Sequence, residues 1–326
     1  MGLQGVGFKM MRDGPRIDLV SIPENPLPEG GRVHHVQTPD GVRLRVAHWQ
    51  PLRLENGKVA IVLQGRTEFI ERYAETVDAL LQRGFHVVAF DWRGQGGSDR
   101  LLADKSRGHV DQFDDYLLDL DAVISSVVEP LGSMPRIALA HSMGGAVLLR
   151  ALHREPARFE RCVLSAPMIG LSMVKRPKAA HFAARMLAAL GFSSHYVPGG
   201  TDEATIPFAD NPLTRDEARH AIAGKIFKVA PDLAIASPTI GWAATSFAAM
   251  AALQHPAIAA AITTPILIAA GPDDRITSTP MAEAFAARLP YGRFLALPGS
   301  EHEVLLEIEP VRAAFWQAFD GFIDEF

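Results

Sequence analysis

A serine at the junction of two apolar segments constrains the fold of this chain more than any other feature. Residues 136–140 form an apolar run of strand length, and residues 145–152 are almost continuously apolar, as in a buried helix. Ser142 lies between them, two positions before Gly144, while Ala140 stands where such motifs usually have a glycine. This order predicts a nucleophile elbow, a tight turn that lifts a hydroxyl above the sheet edge. A helix N-cap serine is the alternative, and this segment alone leaves both open.

Length and composition set broad limits on the protein class. The 326 residues fit one large α/β domain with an insertion or two smaller domains. A formal net charge of -5 gives no electrostatic reason to expect nucleic-acid binding. The single cysteine, Cys162, cannot form an internal disulfide, which favours a reducing, cytoplasmic compartment. Residues 1–30 lack the apolar core of a signal peptide and end in a turn rich in Pro and Gly, so we predict a flexible N-terminal arm.

Apolar runs alternate with helical patterns in the first and last thirds of the chain. The predicted strands are residues 33–37, 42–49, 59–63, 85–90, 136–140, 162–166, 266–270 and 294–297, and the first two flank an Asp-Gly turn. The predicted helices include residues 71–83, a segment beginning at residue 113, residues 145–152 and residues 311–323. This alternation predicts a mainly parallel sheet with helices on both faces.

The middle of the chain has a different pattern. Residues 168–253 contain no convincing core strand and read as helices and loops, with a capping box at Thr214 and Glu217. An insertion between two sheet strands, near the ends where ligands bind, is placed like a lid. We therefore predict a core of residues 31–167 and 254–326 and a helical cap of residues 168–253.

Two stretches bear on membrane contact. Residues 233–272 lack Lys, Arg, Asp and Glu, but prolines interrupt them, so a buried helix and a core strand are predicted rather than a membrane span. The cap also combines four cations with large apolar side chains: Lys175, Arg176, Lys178 and Arg185 with Phe182, Met186, Leu187 and Leu190. Peripheral contact with anionic lipid and packing onto the core with solvated lysines both explain that pattern.

Two late loops supply partners for a reactive serine, which needs a base within hydrogen-bond reach and an acid to orient that base. Asp273 and Asp274 follow the strand at residues 266–270, and His302 follows the strand at residues 294–297. The order serine, acid, histidine is that of the α/β-hydrolases. His302 is the predicted base, and the two aspartates compete for the orienting role.

Five segments together resemble the serine α/β-hydrolases of the monoacylglycerol lipase and lysophospholipase group. They are Gln-Gly-Arg-Thr-Glu at 64–68, Asp-Trp-Arg-Gly-Gln-Gly-Gly-Ser at 91–98, the Ser142 turn, Gly-Pro-Asp-Asp-Arg-Ile at 271–276 and the His302 loop. The Gly-Arg variant at 65–66, with Asn-Pro-Leu-Thr at 211–214 and Pro-Thr-Ile-Gly-Trp at 238–242, is most similar to the bacterial lysophospholipase L2 branch. The resemblance covers nearly the whole chain after the arm.

The resemblance implies an α/β-hydrolase fold with an eight-stranded, mainly parallel sheet and a helical cap. It also implies Ser142 as nucleophile, His302 as base, Asp274 as the orienting acid, and an oxyanion hole from the backbone N–H groups of Arg66 and Met143. Asp273 would then be a turn acid. The Arg66 side chain, where the group has a small residue, could pair with Glu68 or reach a substrate phosphate.

The expected activity is that of a serine hydrolase without metal or cofactor, since no Cys-x-x-Cys or His-Glu-x-x-His motif is present. Such an enzyme would cleave carboxylic esters with an acyl chain, either lysophospholipids or monoacylglycerols, through an acyl-enzyme intermediate. A short-chain carboxylesterase and an aminopeptidase similar to proline iminopeptidase are the enzymatic alternatives. A binding protein that has kept the fold is the non-enzymatic one.

Overall fold

An eight-stranded sheet forms the centre of the computed structural model, which describes residues 18–51 and 55–325. The strands are β1 (Arg32–Gln37), β2 (Arg43–Trp49), β3 (Val59–Leu63), β4 (His86–Phe90), β5 (Arg136–His141), β6 (Arg161–Ser165), β7 (Ile266–Ala270) and β8 (Gly292–Ala296). Each strand begins and ends within two residues of a predicted apolar run. Continuous apolar runs therefore located the strands, because most of the strands are buried on both faces.

The strand order makes the sheet mainly parallel, as predicted. The order is β1-β2-β4-β3-β5-β6-β7-β8, and every pair from β4 to β8 is parallel. Only β2 runs in the opposite direction: it is antiparallel to β1, with which it forms a hairpin, and to β4. The C-terminal ends of β5 to β8 consequently lie at one edge of the sheet, where the predicted site residues follow them.

Helices cover both faces of the sheet. They are α1 (Ala74–Gln82), α2 (Asp115–Val123), α3 (Met143–Arg154), α4 (Pro177–Leu187), α5 (Glu217–Val229), α6 (Ile240–Leu253), α7 (Pro256–Ala261), α8 (Thr279–Ala286) and α9 (Glu309–Asp324). Adjacent residues of β3 point to opposite faces: Ile61 shares a core with Val147 of α3, and Val62 shares one with Phe315 of α9. This arrangement confirms the predicted α/β class.

The chain between β6 and β7 forms helices α4 to α7, and within its described residues no strand joins the sheet. The predicted capping box between Thr214 and Glu217 does not form, so this prediction is wrong. Asp216 caps α5 by accepting the N–H of Arg219 at 2.9 Å, while the Thr214 hydroxyl donates to the Leu306 carbonyl at 2.8 Å. A distant core carbonyl competes for this hydroxyl, and a local sequence pattern cannot reveal such a partner.

The stretch without charged residues, 233–272, contains α6, α7 and β7. Across the described parts of the chain, no helix combines the length and the apolar character needed to cross a bilayer. The order of α6 and β7 is the predicted one, a buried helix followed by a core strand.

Residues 18–30 pack against the core and are therefore not the flexible segment that their Pro and Gly content predicted. Ile22 is buried, the N–H of Val20 donates to Glu71 at 3.1 Å, and the Asn25 side chain donates to the Glu71 carbonyl at 2.8 Å. The indole of Trp49 donates to the Pro28 carbonyl at 3.1 Å. Residues 1–17, the remainder of the predicted arm, lie outside the described residues.

Candidate active site

The backbone at Ser142 makes a sharp turn between β5 and α3. Its φ of 49° and ψ of -114° lie in a region that residues other than glycine rarely adopt. The following turn needs small residues, because a Cβ on Gly144 would lie 2.2 Å from the Leu63 carbonyl oxygen. A Cβ on Gly145 would lie 2.8 Å from the Pro167 Cβ. The two glycines thus let β3 and the chain after β6 pass close to the turn.

The side chains of Ser142, His302 and Asp274 form one hydrogen-bonded series. His302 Nε2 lies 3.0 Å from Ser142 Oγ, and His302 Nδ1 lies 2.9 Å from Asp274 Oδ2. All three residues are buried. The Ser142 hydroxyl makes no capping hydrogen bond with α3, so the N-cap alternative does not describe it. The structure brings together the three residues that the sequence analysis selected.

The carboxylate of Asp274 is fixed by several donors. Its Oδ1 accepts the N–H groups of Ile276 at 2.7 Å and Thr277 at 2.9 Å, and its Oδ2 accepts the Thr277 hydroxyl at 2.6 Å. Burial opposes ionisation, but the hydrogen bond and charge of His302 and these donors together hold the pKa of Asp274 below its ordinary value. Asp273 instead forms an exposed ion pair with Arg215 at 2.7 Å, away from His302.

His302 is a stronger base than an ordinary histidine. Burial acts to lower its pKa, but the carboxylates of Asp274, Glu303 and Glu68 outweigh burial and raise the pKa above the usual value. The ring of His141 lies beside it, with the two centroids 4.7 Å apart. Burial, together with the neighbouring His302, lowers the pKa of His141 to about 3, so this second imidazole stays neutral. His141 directly precedes the serine, but no sequence pattern marks it as part of the site.

Glu68 holds the loop at residues 64–68 in place. Its Oε2 accepts the N–H of Gly65 and the hydroxyl of Tyr73, the latter at 2.6 Å. Gln95 fixes the same loop by donating to the Gly65 carbonyl at 2.8 Å. Burial raises the pKa of the Glu68 carboxyl, although Arg72, Tyr73 and Gly65 act to lower it. Sequence reasoning missed this supporting role, because it depends on contacts with residues outside the motif.

The two backbone N–H groups predicted to bind an oxyanion belong to Met143, directly after the serine, and to Arg66, a residue that lines the cavity. Met143 is the first residue of α3, where helix geometry leaves the N–H without an intrahelical acceptor. Among the described residues, the N–H of Arg66 has no acceptor either. Both N–H groups thus remain predicted donors to an oxyanion.

The side chain of Arg66 does not pair with Glu68, so this alternative from the sequence is wrong. Its Nη2 donates to the Ala236 carbonyl at 2.6 Å, and its guanidinium lies 5.1 Å from the ring centre of Trp242. Glu68 is already engaged by Gly65 and Tyr73 on the other side of the loop. The Arg66 side chain thus extends towards Ala236 and the start of α6.

A cavity of about 560 Å³ opens above Ser142 between the sheet edge and helices α4 and α6. Its wall is mostly apolar and includes Met168, Leu171, Val174, Leu187, Val197, Ile240, Trp242, Phe247 and Met250. Such a wall is suited to an acyl chain, with few polar groups to orient the reacting end. Across residues 18–51 and 55–325, no group of three or more His, Cys, Asp or Glu side chains could hold a metal ion.

The strand order, the elbow and the hydrogen-bonded Ser-His-Asp series together define an α/β-hydrolase. The chain belongs to the family described as serine aminopeptidase, S33, whose profile matches residues 55–309. Within the fold it groups with the lysophospholipases and monoacylglycerol lipases, as the sequence resemblance implied.

Individual relatives agree with this grouping. The chain is 33% identical to lysophospholipase L2 of Escherichia coli over 295 residues, which cover 87% of this chain and 83% of the relative. It is 28% identical to human monoglyceride lipase over 155 residues, or 48% of this chain and 47% of the relative.

Solved structures show the same fold. A soluble variant of the Saccharomyces cerevisiae monoglyceride lipase superposes with a TM-score of 0.70 at 18% identity, covering 91% of this chain and 97% of the other. A thermostable carboxyl esterase from Bacillus coagulans superposes with a TM-score of 0.72 at 15% identity, covering 91% and 99%.

Proposed function

We propose that this protein hydrolyses carboxylic esters that carry an acyl chain, with lysophospholipids as the leading substrates and monoacylglycerols next. The observation that carries the proposal is the series from Ser142 Oγ through His302 to Asp274, with separations of 3.0 and 2.9 Å, at the floor of an apolar cavity. The names of the lysophospholipase and monoglyceride lipase relatives support the same substrate class.

The proposed reaction has two steps, and each uses the same groups. In the first, Ser142 Oγ attacks the ester carbonyl while His302 Nε2 accepts its proton, and Asp274 stabilises the resulting imidazolium. The N–H groups of Arg66 and Met143 bind the carbonyl oxygen as it becomes negative. The imidazolium then protonates the leaving alcohol. In the second step, His302 activates a water that attacks the acyl-enzyme, which releases the fatty acid and restores Ser142.

Ester cleavage is favoured over aminopeptidase activity, although the matched family is described as serine aminopeptidase. An aminopeptidase binds the positively charged amino terminus of its substrate, for which a free carboxylate is the strongest partner. The two carboxylates at the cavity wall are already engaged, since Glu303 pairs with Arg72 at 2.5 Å and Glu68 accepts from Gly65 and Tyr73. The guanidinium of Arg66 at the same wall would repel an ammonium group.

The test compares substrates that share one ten-carbon acyl chain: a lysophosphatidylcholine, a monoacylglycerol and a p-nitrophenyl ester, with a butyryl ester and an aminoacyl anilide alongside. We expect the decanoyl esters to give the highest kcat/KM. A preference for the butyryl ester would identify a short-chain carboxylesterase, and faster anilide turnover would identify an aminopeptidase. Binding of the esters without turnover would identify a protein that has kept only the fold.

We further propose that the cap contacts an anionic lipid surface through the outer face of α4 and the turn after it. Phe182, Met186 and Leu190 are 68%, 48% and 67% exposed, and their spacing of four residues aligns them along one side. Ala184 and Leu187, on the inner side, line the cavity above Ser142. A substrate that moves from the lipid surface to Ser142 would therefore have to pass only helix α4.

The charge of this region favours an anionic surface. Residues 171–192 contain four Lys or Arg residues and no Asp or Glu. Each cation near an anionic bilayer contributes about 1 kcal/mol of attraction. Cys162, the single cysteine of the sequence, has no partner for an internal disulfide, which supports the proposed reducing, cytoplasmic compartment on the inner side of a membrane.

Vesicle co-sedimentation tests the lipid contact. We expect the protein to bind vesicles that contain phosphatidylglycerol more strongly than vesicles of phosphatidylcholine alone, and the variant Phe182→Ser/Leu190→Ser to lose at least about tenfold in affinity. Tyr291→Ser, which removes a 63% exposed aromatic ring before β8, serves as the matched control. Binding that ignores lipid charge and survives Lys175→Glu/Lys178→Glu would contradict the proposal.

A further inference from the structure

The guanidinium of Arg66 is a positive charge at the cavity wall without an acidic partner. Within the described chain, no carboxylate forms an ion pair with it, and its buried Nε has no hydrogen-bond partner. Most buried charges in proteins are paired, because taking an ion out of water is costly. A cation that is left unpaired beside a binding cavity is suited to an anionic ligand.

Neutral neighbours hold the Arg66 side chain in position without neutralising it. Its Nη2 donates to the Ala236 carbonyl at 2.6 Å, and Trp242 lies 5.1 Å away, its own indole N–H donating to Tyr116 at 3.1 Å. Burial lowers the pKa of Arg66 to about 10, and nearby Tyr116 and Tyr196 offset this only in part. The group remains charged at neutral pH.

Arg66 is also the one lysine or arginine among the described residues that line the cavity. The two carboxylates of the same wall, Glu68 and Glu303, have their own partners in Gly65 and Arg72. For a negative substrate group in the cavity, Arg66 is therefore the cation of the described wall that no carboxylate neutralises. The planar fork of an arginine suits the two free oxygens of a phosphodiester.

We propose that the Arg66 side chain binds the phosphodiester of a lysophospholipid and so determines the preference for phospholipid esters over neutral glycerides. This inference rests on the proposed ester hydrolysis at Ser142. The glycerol of a 1-acyl lysophospholipid separates its reacting carbonyl from its phosphate by three carbons. A residue whose backbone N–H binds the carbonyl oxygen can therefore reach that phosphate with its side chain.

The test measures a ratio, so that a general loss of activity does not mimic the effect. The ratio is kcat/KM for decanoyl lysophosphatidylcholine divided by kcat/KM for monodecanoyl glycerol, both below their critical micelle concentrations. It is determined for wild type, Arg66→Gln and Arg100→Gln. Arg100 is a matched control, because its guanidinium also donates to carbonyls of the cap, those of Asp232 at 2.8 Å and Ala234 at 3.3 Å, but does not line the cavity.

We expect Arg66→Gln to lower the ratio by roughly 10- to 100-fold, the range for losing a charge-assisted hydrogen bond. Arg100→Gln should leave the ratio within about twofold of wild type. An unchanged ratio in Arg66→Gln would overturn the inference while leaving ester hydrolysis intact. An equal fall in both variants would overturn the inference, because it would show that both arginines act by anchoring the carbonyls at residues 232–236. Failure of the wild type to cleave either ester would overturn the proposed function together with this inference.

Discussion

His302 Nε2 lies 3.0 Å from Ser142 Oγ, although 160 positions separate the two residues in the chain. The sheet explains this proximity. Because β5, β6, β7 and β8 are parallel neighbours in that order, the loops after β5, β7 and β8 leave the same edge. Asp274, which follows β7, lies on the far side of the His302 ring from the serine, at 2.9 Å.

Replacing each of the two adjacent aspartates by asparagine, one at a time, should separate their roles. Asp274→Asn removes the acceptor that orients His302, and we expect kcat to fall by roughly 10,000-fold, as in other triads. Asp273→Asn removes only an exposed ion pair with Arg215, so kcat should stay within about threefold. Steady-state kinetics on one soluble ester provides the comparison. A larger loss in Asp273→Asn than in Asp274→Asn would reverse the assignment.

The pH dependence of kcat/KM should report the basicity of His302. The base acts only when neutral, so activity is lost as the pH falls through the pKa of this imidazole. Because the surrounding carboxylates raise this pKa, the midpoint should lie above the ordinary histidine value of about 6.5. In Asp274→Asn the charge is gone while burial remains, so the midpoint of the residual activity should move down. An unchanged midpoint would show that Asp274 does not set the basicity of His302.

Glu68→Gln should slow catalysis without weakening substrate binding to the same degree. The neutral amide accepts more weakly from the Gly65 N–H and Tyr73, so the loop that carries Arg66 is held less firmly. We expect kcat to fall about tenfold, less than the 100- to 1000-fold typical for losing an oxyanion donor outright. Tyr73→Phe, which removes one of the same hydrogen bonds, should lower kcat in the same direction. A change confined to KM in both variants would contradict this role.

His48 should make the fold sensitive to mild acid. Burial first, and then the neighbouring His86, His34 and Arg32, lower the pKa of His48 to about 4. Between about pH 6.5 and pH 4, His48 is protonated in the unfolded chain but neutral in the folded chain. The free energy of unfolding therefore falls as the pH falls through this range.

Urea unfolding at pH 7.5 and pH 5 measures this loss of stability. Wild type should lose roughly 1 to 2 kcal/mol more between the two pH values than His48→Leu, in which the titrating group is absent. The exposed residue His153 supplies the control variant His153→Ala, which should lose as much as wild type. Equal losses in His48→Leu and wild type would exclude His48 as the source.

Much of the fold and of the site was readable from local sequence. The strands are short apolar runs whose burial dictates their composition, and the Ser142 turn needs glycines that the sequence displays directly. Asp274 and His302 each follow a strand, so parallel topology alone predicts that they meet. The choice of Asp274 over Asp273 came from family resemblance, since periodicity cannot say which of two adjacent carboxyls faces inward.

Features that depend on distant contacts could not be read in this way. The partner of Glu68 is the Gly65 N–H rather than Arg66, because the loop turns the guanidinium towards the Ala236 carbonyl, 170 positions later. Residues 18–30 pack through Ile22 and hydrogen bonds to Glu71 despite a composition typical of a loop.

Fluorophosphonate labelling followed by mass spectrometry tests the central claim that Ser142 is a nucleophile activated by His302. We expect stoichiometric labelling of wild type at Ser142 and none in Ser142→Ala, with labelling of His302→Ala slowed at least about 1000-fold. Ser165→Ala, which removes a buried hydroxyl 3.1 Å from His141, should label like wild type. Labelling that persists in Ser142→Ala would contradict the account.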